Sequence, residues 1–108
     1  MNSFNTQGFK DDSSKPDLHL VLGGFSNALT EIGKVGTFGA SKYTEYGWKF
    51  VNKGKRRYTS SMLRHYFQDT DGTLHDEDSN LLHAAHCAWN ALARLELILQ
   101  DLEEKNER

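Results

Sequence analysis

Towards the C-terminal end of the chain, Ala85, Ala88, Leu92, Leu95, Leu99 and Leu102 follow one another at spacings of three and four. Only an α-helix gathers such a series into one stripe. The pattern predicts a helix from Asp78 or Ser79 to about Glu104, with either residue able to cap the free amides at its start. Leu97 and Ile98 fall off the stripe, so this helix is apolar on more than one side. Such a helix belongs at the centre of a bundle or in a subunit interface. A chain of 108 residues, 37% of them hydrophobic, holds one domain with a thin core. It offers few other helices as cover, so the expected state is a homo-oligomer, a dimer or larger.

The rest of the chain divides at its turn residues. Residues 1–14 are polar and read as a flexible tail, which leaves 15–108 as the single helical domain. Pro16 biases Lys15 toward extended geometry, and Leu18, Leu20 and Leu22 alternate with His19 and Val21, so a short extended stretch is expected there. A first helix is expected from Gly24 or Phe25 to Lys42 and Tyr43. Its apolar stripe is Phe25, Ala28, Leu29, Ile32, Val35 and Phe38, interrupted by Gly33, Gly36 and Gly39. Residues 48–55 read as a loop with a basic run, Lys53, Lys55, Arg56 and Arg57. A second helix follows over about 59–69, capped by Thr59 or Ser60. Asp69, Thr70, Asp71 and Gly72 make a turn. The fold class is all-α, a small helical domain with a long central C-terminal helix.

The net charge of −2 gives no general attraction to a nucleic-acid polymer or an anionic membrane. No apolar run has the length of a membrane span, and the first 14 residues lack the apolar stretch of a signal peptide. A cytoplasmic location is therefore expected. Cys87 is the single cysteine, so no intrachain disulfide forms, and its Ala-rich surroundings suit a thiol packed as a small apolar group. There is no phosphate-binding glycine loop, no dinucleotide fingerprint and no serine-nucleophile elbow.

The polar residues of the long helix carry the chemistry. At about 100° per residue, His83, Cys87, Asn90 and Arg94 share a face, with His86 beside it and the leucine stripe nearly opposite. Asp76, Glu77 and Asp78 come just before. A helix start favours phosphate, but carboxylates there repel it unless a cation intervenes. A divalent metal held by Asp78 and His83 resolves the conflict, since carboxylate and imidazole both bind it. The competing reading makes Asp76 and Asp78 plain caps and the histidines surface or packed groups. His65 follows Arg64 on another helix, and Arg64 can present a planar fork to a phosphoryl oxygen. Tyr43, Trp48 and Trp89 could stack on a base, although such residues more often fill a core.

The ordered set Lys15-Pro16-Asp17, Gly39-Ala40-Ser41-Lys42-Tyr43, Trp48, Arg64-His65, Asp76-x-Asp78-Ser79, His83-x-x-His86 and Asn90 resembles a phage-borne family. That family is the N-terminal domain of dATP/dGTP diphosphohydrolases, and the likeness covers nearly all of the chain after the tail. It implies a small α-helical domain associated with splitting a purine deoxynucleoside triphosphate into monophosphate and pyrophosphate. The polar residues matching the pattern are Lys42, Arg64, His65, Asp76, Asp78, His83, His86 and Asn90. This chain has Asp78 where the family usually has glutamate, and Asn80 where it usually has glycine.

Two functions follow. The first is a metal-assisted diphosphohydrolase. Asp78 and His83 hold Mg²⁺ or Mn²⁺, with Asp76 or His86 as a further candidate ligand, while His65, Asp76 and His86 serve the proton chemistry. Lys15, Lys42, Tyr43, Trp48, Arg64 and Asn90 bind the nucleotide. The second is a phage protein that sequesters a host immune signalling nucleotide without turnover, using the same basic and aromatic residues.

Overall fold

The computed structural model describes residues 10–106, and among them every regular element is helical. A one-turn helix α1 (His19–Leu22) leads into α2 (Ser26–Lys42). A 3-10 turn (Gly47–Phe50) follows, then α3 (Gly54–Thr70) and the long α4 (His83–Asn106). Extended pairing is confined to one isolated bridge, His75 with Leu82. The all-α expectation holds, as does the long C-terminal helix. Most of the tail expected over 1–14 lies outside the described residues.

α3 and α4 run antiparallel as a hairpin. The start of α3 meets the second half of α4 (Gly54 against Leu97, Lys55 with Asp101), Thr59 meets Arg94 in the middle, and His65 meets His83 at the start of α4. At Gly54 the approach is tight: a Cβ there would lie 2.9 Å from Leu97 Cδ1. α2 crosses α4 at Gly36, beside Trp89. Trp48, Tyr58 and Trp89 join the pieces edge to face, with ring centroids 5.7–6.4 Å apart. The Tyr58 hydroxyl donates to the Trp48 carbonyl at 2.7 Å. Gly33 and Gly39 face open space, so of the three glycines in α2 only Gly36 marks an approach.

Three sequence expectations need correction. Residues 18–22 are helical rather than extended. Asp17 Oδ1 accepts the His19 N–H at 3.2 Å and its carbonyl accepts the Leu20 N–H, so a capped turn forms where no strand partner exists. α3 begins at Gly54, not near Thr59 or Ser60. Lys53 takes a left-handed conformation (φ 57°) at its start, and Lys55, Arg56 and Arg57 lie in its first turns instead of a loop. α4 begins at His83, not at Asp78 or Ser79. The backbone just before it closes a tight hairpin instead, with Asp76 N–H on Leu81 O (2.7 Å), Asn80 N–H on Asp76 O (2.8 Å) and His83 N–H on Leu74 O (2.9 Å).

The structure also shows which side of α4 is inside. His83, His86 and Asn90 are buried together with Ala85 and Ala93. Leu92, Leu95, Leu99 and Leu102 remain half exposed, at 50–51%. Apart from Val35, Ala85 and Ala93, no apolar side chain among the described residues is fully buried. Of the polar face expected from the helical wheel, His83 and Asn90 turn inward with His86, Cys87 is half-buried and Arg94 is exposed.

Candidate functional site

The hairpin at 74–83 builds the site. Asp76 closes a local turn: its Oδ2 accepts the Ser79 N–H at 2.8 Å and the Ser79 hydroxyl at 2.9 Å. Asn80 sustains the reversal with φ 61°. A left-handed conformation suits glycine best and asparagine next, which accounts for Asn80 standing where the similar family has glycine. The turn sets Asp76 against the start of α4, where His83 and His86 point toward α3 and meet His65.

One ligand atom each from His65, Asp76 and His83 lies within 4.8 Å of the others. His83 is 2% exposed and His86 8% exposed, so water screens this group little. The Nδ1 atoms of His65 and His83 are 2.8 Å apart. One of them must donate and the other accept, so the pair shares a single proton and both rings cannot be cationic. The His65 ring stacks on His86 with centroids 4.4 Å apart and an interplanar angle of 8°. Ser79 Oγ is 2.6 Å from His86 Nε2. Because the serine hydroxyl gives its proton to the Asp76 carboxylate, it accepts from His86 Nε2–H and from the Leu81 amide at 3.2 Å. This fixes the His86 tautomer and leaves its Nδ1 unprotonated.

The charge states follow from burial. Desolvation, reinforced by His86, lowers His65 to about 4 against the partial opposition of Asp76. Desolvation also lowers His86, with Asp76 pulling the other way and His83 adding to the depression. Burial alone would raise Asp76, but the two bonds from Ser79 outweigh it and hold the carboxyl below its ordinary value. The result at neutral pH is two neutral imidazoles, His65 and His86, around one carboxylate. The 3.8 Å approach of His86 Nε2 to Asp76 Oδ2 is accordingly a polar contact, not an ion pair.

The remaining candidates are more scattered. Asp78 does not join His83. It is exposed, and its Oδ2 pairs with Lys42 Nζ at 2.7 Å, which raises the lysine above its ordinary value. Asp76 takes the place in the donor cluster that the helical wheel gives to Asp78, and His65 joins it. Lys42 still borders the site, since Asp76 also contributes to its shift. Tyr43 is 73% exposed and its ring lies 5.7 Å from Lys42 Nζ. Arg64 is exposed beside His65, with no salt bridge among the described residues. Trp48 belongs to the aromatic cluster, and Asn90 donates from Nδ2 to the His86 carbonyl at 2.8 Å within α4. Lys15 is exposed ahead of α1 and makes no side-chain contact with the cluster. The sequence pattern marks Ser79 only as a cap. Its true signal is the Asp76-x-x-Ser79 spacing, which suits a carboxylate-closed turn.

The donor chemistry suits a divalent first-row cation: two imidazoles and a carboxylate converge, and Ser79, itself held by His86, orients the carboxylate from behind. No helix among the described residues is long and apolar enough to cross a membrane. Comparison with curated proteins and with solved structures yields no significant match. Residues 5–108 match the family described as dATP/dGTP diphosphohydrolase, N-terminal, and the chain belongs to that family.

Proposed function

We infer that the protein hydrolyses a purine deoxynucleoside triphosphate to the monophosphate and pyrophosphate at the His65, Asp76 and His83 cluster. The observation that carries this reading is the convergence of three ligand atoms within 4.8 Å, in a chain of the diphosphohydrolase family. The mixed nitrogen and oxygen donors favour Mn²⁺ over Mg²⁺, which prefers an all-oxygen shell. A cation there supplies Lewis acidity toward a phosphoryl oxygen and lowers the pKa of water.

The chain's own residues do the rest. Water oxygen bonds to the α-phosphorus, the bond from that phosphorus to the bridging oxygen breaks, and pyrophosphate leaves with the electron pair. His86 takes the water proton at Nδ1, the nitrogen left free by the Ser79 bond. Its low basicity returns the proton readily to solvent. Lys42 and Arg64 sit on the rim and neutralise phosphate charge. Lys42 exchanges Asp78 for a phosphate oxygen at small cost, because the exposed pair is screened by solvent. Tyr43, exposed next to Lys42, is the aromatic surface offered to the base, whereas Trp48 is committed to packing.

The test is incubation of the purified protein with each dNTP, with and without Mn²⁺, followed by product separation. Metal-dependent dAMP or dGMP and pyrophosphate are expected. Arg64→Ala should weaken nucleotide binding by about 1.5–3 kcal/mol, the usual loss of a charge-assisted contact, and Lys53→Ala should leave it unchanged. Intact nucleotide recovered from a tight complex, with no pyrophosphate, would replace hydrolysis by sequestration.

A further inference from the structure

We propose that two copies of this chain associate through α4 in an antiparallel, two-fold symmetric pair. This inference is independent of the hydrolytic reading, because it rests on the opposite side of the helix.

The outward arc of α4 carries Ala84, Ala88, Ala91, Leu95, Leu99 and Leu102 in order, with Leu92 alongside. Their spacings of three and four form a seam of the coiled-coil kind. The seam is unequal along its length: its first half is alanine and its second half leucine. Between α3 and α4 the alanine half opens into a groove of about 270 Å³, lined by Tyr66, Asp69, Ala84, Cys87, Ala88 and Ala91. The leucine half projects side chains that are 50–51% exposed.

Such a surface is complementary to its own reversed copy. Around a two-fold axis near Ala93, Ala84 faces Leu102 of the partner subunit, Ala88 faces Leu99 of the partner subunit, and Ala91 faces Leu95 of the partner subunit. Each large side chain meets a small one, as close packing requires. A parallel pair would set alanine against alanine at one end, leaving voids, and leucine against leucine at the other. An isologous two-fold contact is also the commonest solution for a soluble oligomer.

The area suffices. α4 has 24 residues and so runs about 36 Å. With α3, which adds exposed Leu63, Tyr66 and Phe67, the face is two helices or about 20 Å wide. α3, with 17 residues, spans about 26 Å of that length, so the face covers on the order of 600 Å², the lower end of what a specific interface buries per partner.

Sedimentation velocity at tens of micromolar should show a dimer. Leu95→Glu/Leu99→Glu should sediment as a monomer with its helical circular dichroism retained. Orientation is read separately, on chains that keep both leucines. In a Cys87→Ser background, Ala84→Cys chains are mixed with Leu102→Cys chains, one of them tagged, and oxidised. Antiparallel pairing predicts that mixed cross-links dominate over like-with-like ones. A monomeric parent chain, a double-glutamate variant that stays dimeric, or a predominance of 84–84 and 102–102 links would each overturn the proposal.

Discussion

His65 lies between two other histidines and a carboxylate, and its proton decides how the cluster holds together. Folded, it titrates at about 4, well below the ordinary 6.5 that it recovers on unfolding. Between those values the unfolded chain binds a proton that the folded chain refuses. The stabilising effect is therefore complete above pH 6.5 and is lost as the pH falls through about 4. His86, also lowered, acts in the same direction, and the depressed Asp76 adds its own loss at still lower pH. Thermal melts of the metal-free protein should fall from pH 7 to pH 5, and His65→Ala should flatten that dependence. A melting temperature unchanged across this range would contradict neutral imidazoles at His65 and His86. Ser79 stands one step behind the ligands. Ser79→Ala frees the Asp76 carboxylate and the His86 ring, and should weaken metal affinity about 10–100-fold while the helices stay intact. Titration calorimetry with Mn²⁺ reads this directly.

At the scale of elements, the hairpin at 74–83 is what the helical wheel could not show. A helix extended back to Asp78 makes Asp78 and His83 the first choice of ligands and keeps Asp76 only as a further candidate. Folding 76–82 as a reversal exchanges their positions. The residue types of the site were thus legible, but the assignment of ligands was not, because it depends on a turn held by Asn80 at φ 61°. Asn80→Gly should melt at or slightly above the parent temperature, while Asn80→Val should lose about 1–2 kcal/mol from left-handed strain. The long stripes of α2 and α4 were plain in the sequence because their periodicity runs over many turns. The start of α3 was hidden, since a basic run with a buried glycine carries no apolar signal. The approach of Leu97 to Gly54, which explains that glycine, is a tertiary fact. Trp48, Tyr58 and Trp89 join three elements. Trp89→Ala should cost about 3 kcal/mol in denaturant unfolding, near the low end for a large aromatic because the ring is only half buried.

At the scale of the whole molecule, the hairpin buries His83, His86 and Asn90 beside Ala85 and Ala93, while Leu92, Leu95, Leu99 and Leu102 are left half exposed. Folding alone does not account for that division, since few apolar side chains are removed from water within one chain. A catalytic cluster on the inward side and a self-complementary seam on the outward side account for both. If the seam pairs two copies, the melting temperature should rise with protein concentration, as mass action requires of any associating native state.

The most direct test of the metal centre is the thermal shift on adding Mn²⁺ to four proteins: the parent chain, Asp76→Asn, His83→Ala and Asp78→Asn. A ligand at one hundred times its Kd stabilises the folded state by about 2.7 kcal/mol, which is on the order of 10 °C for a domain of this size. The parent chain and Asp78→Asn should both show that rise, because Asp78 serves Lys42 and not the cation. Asp76→Asn and His83→Ala should show none, although both fold without metal. Equal rises in all four proteins, or a loss confined to Asp78→Asn, would contradict the assignment of the His65, Asp76 and His83 cluster as the metal site.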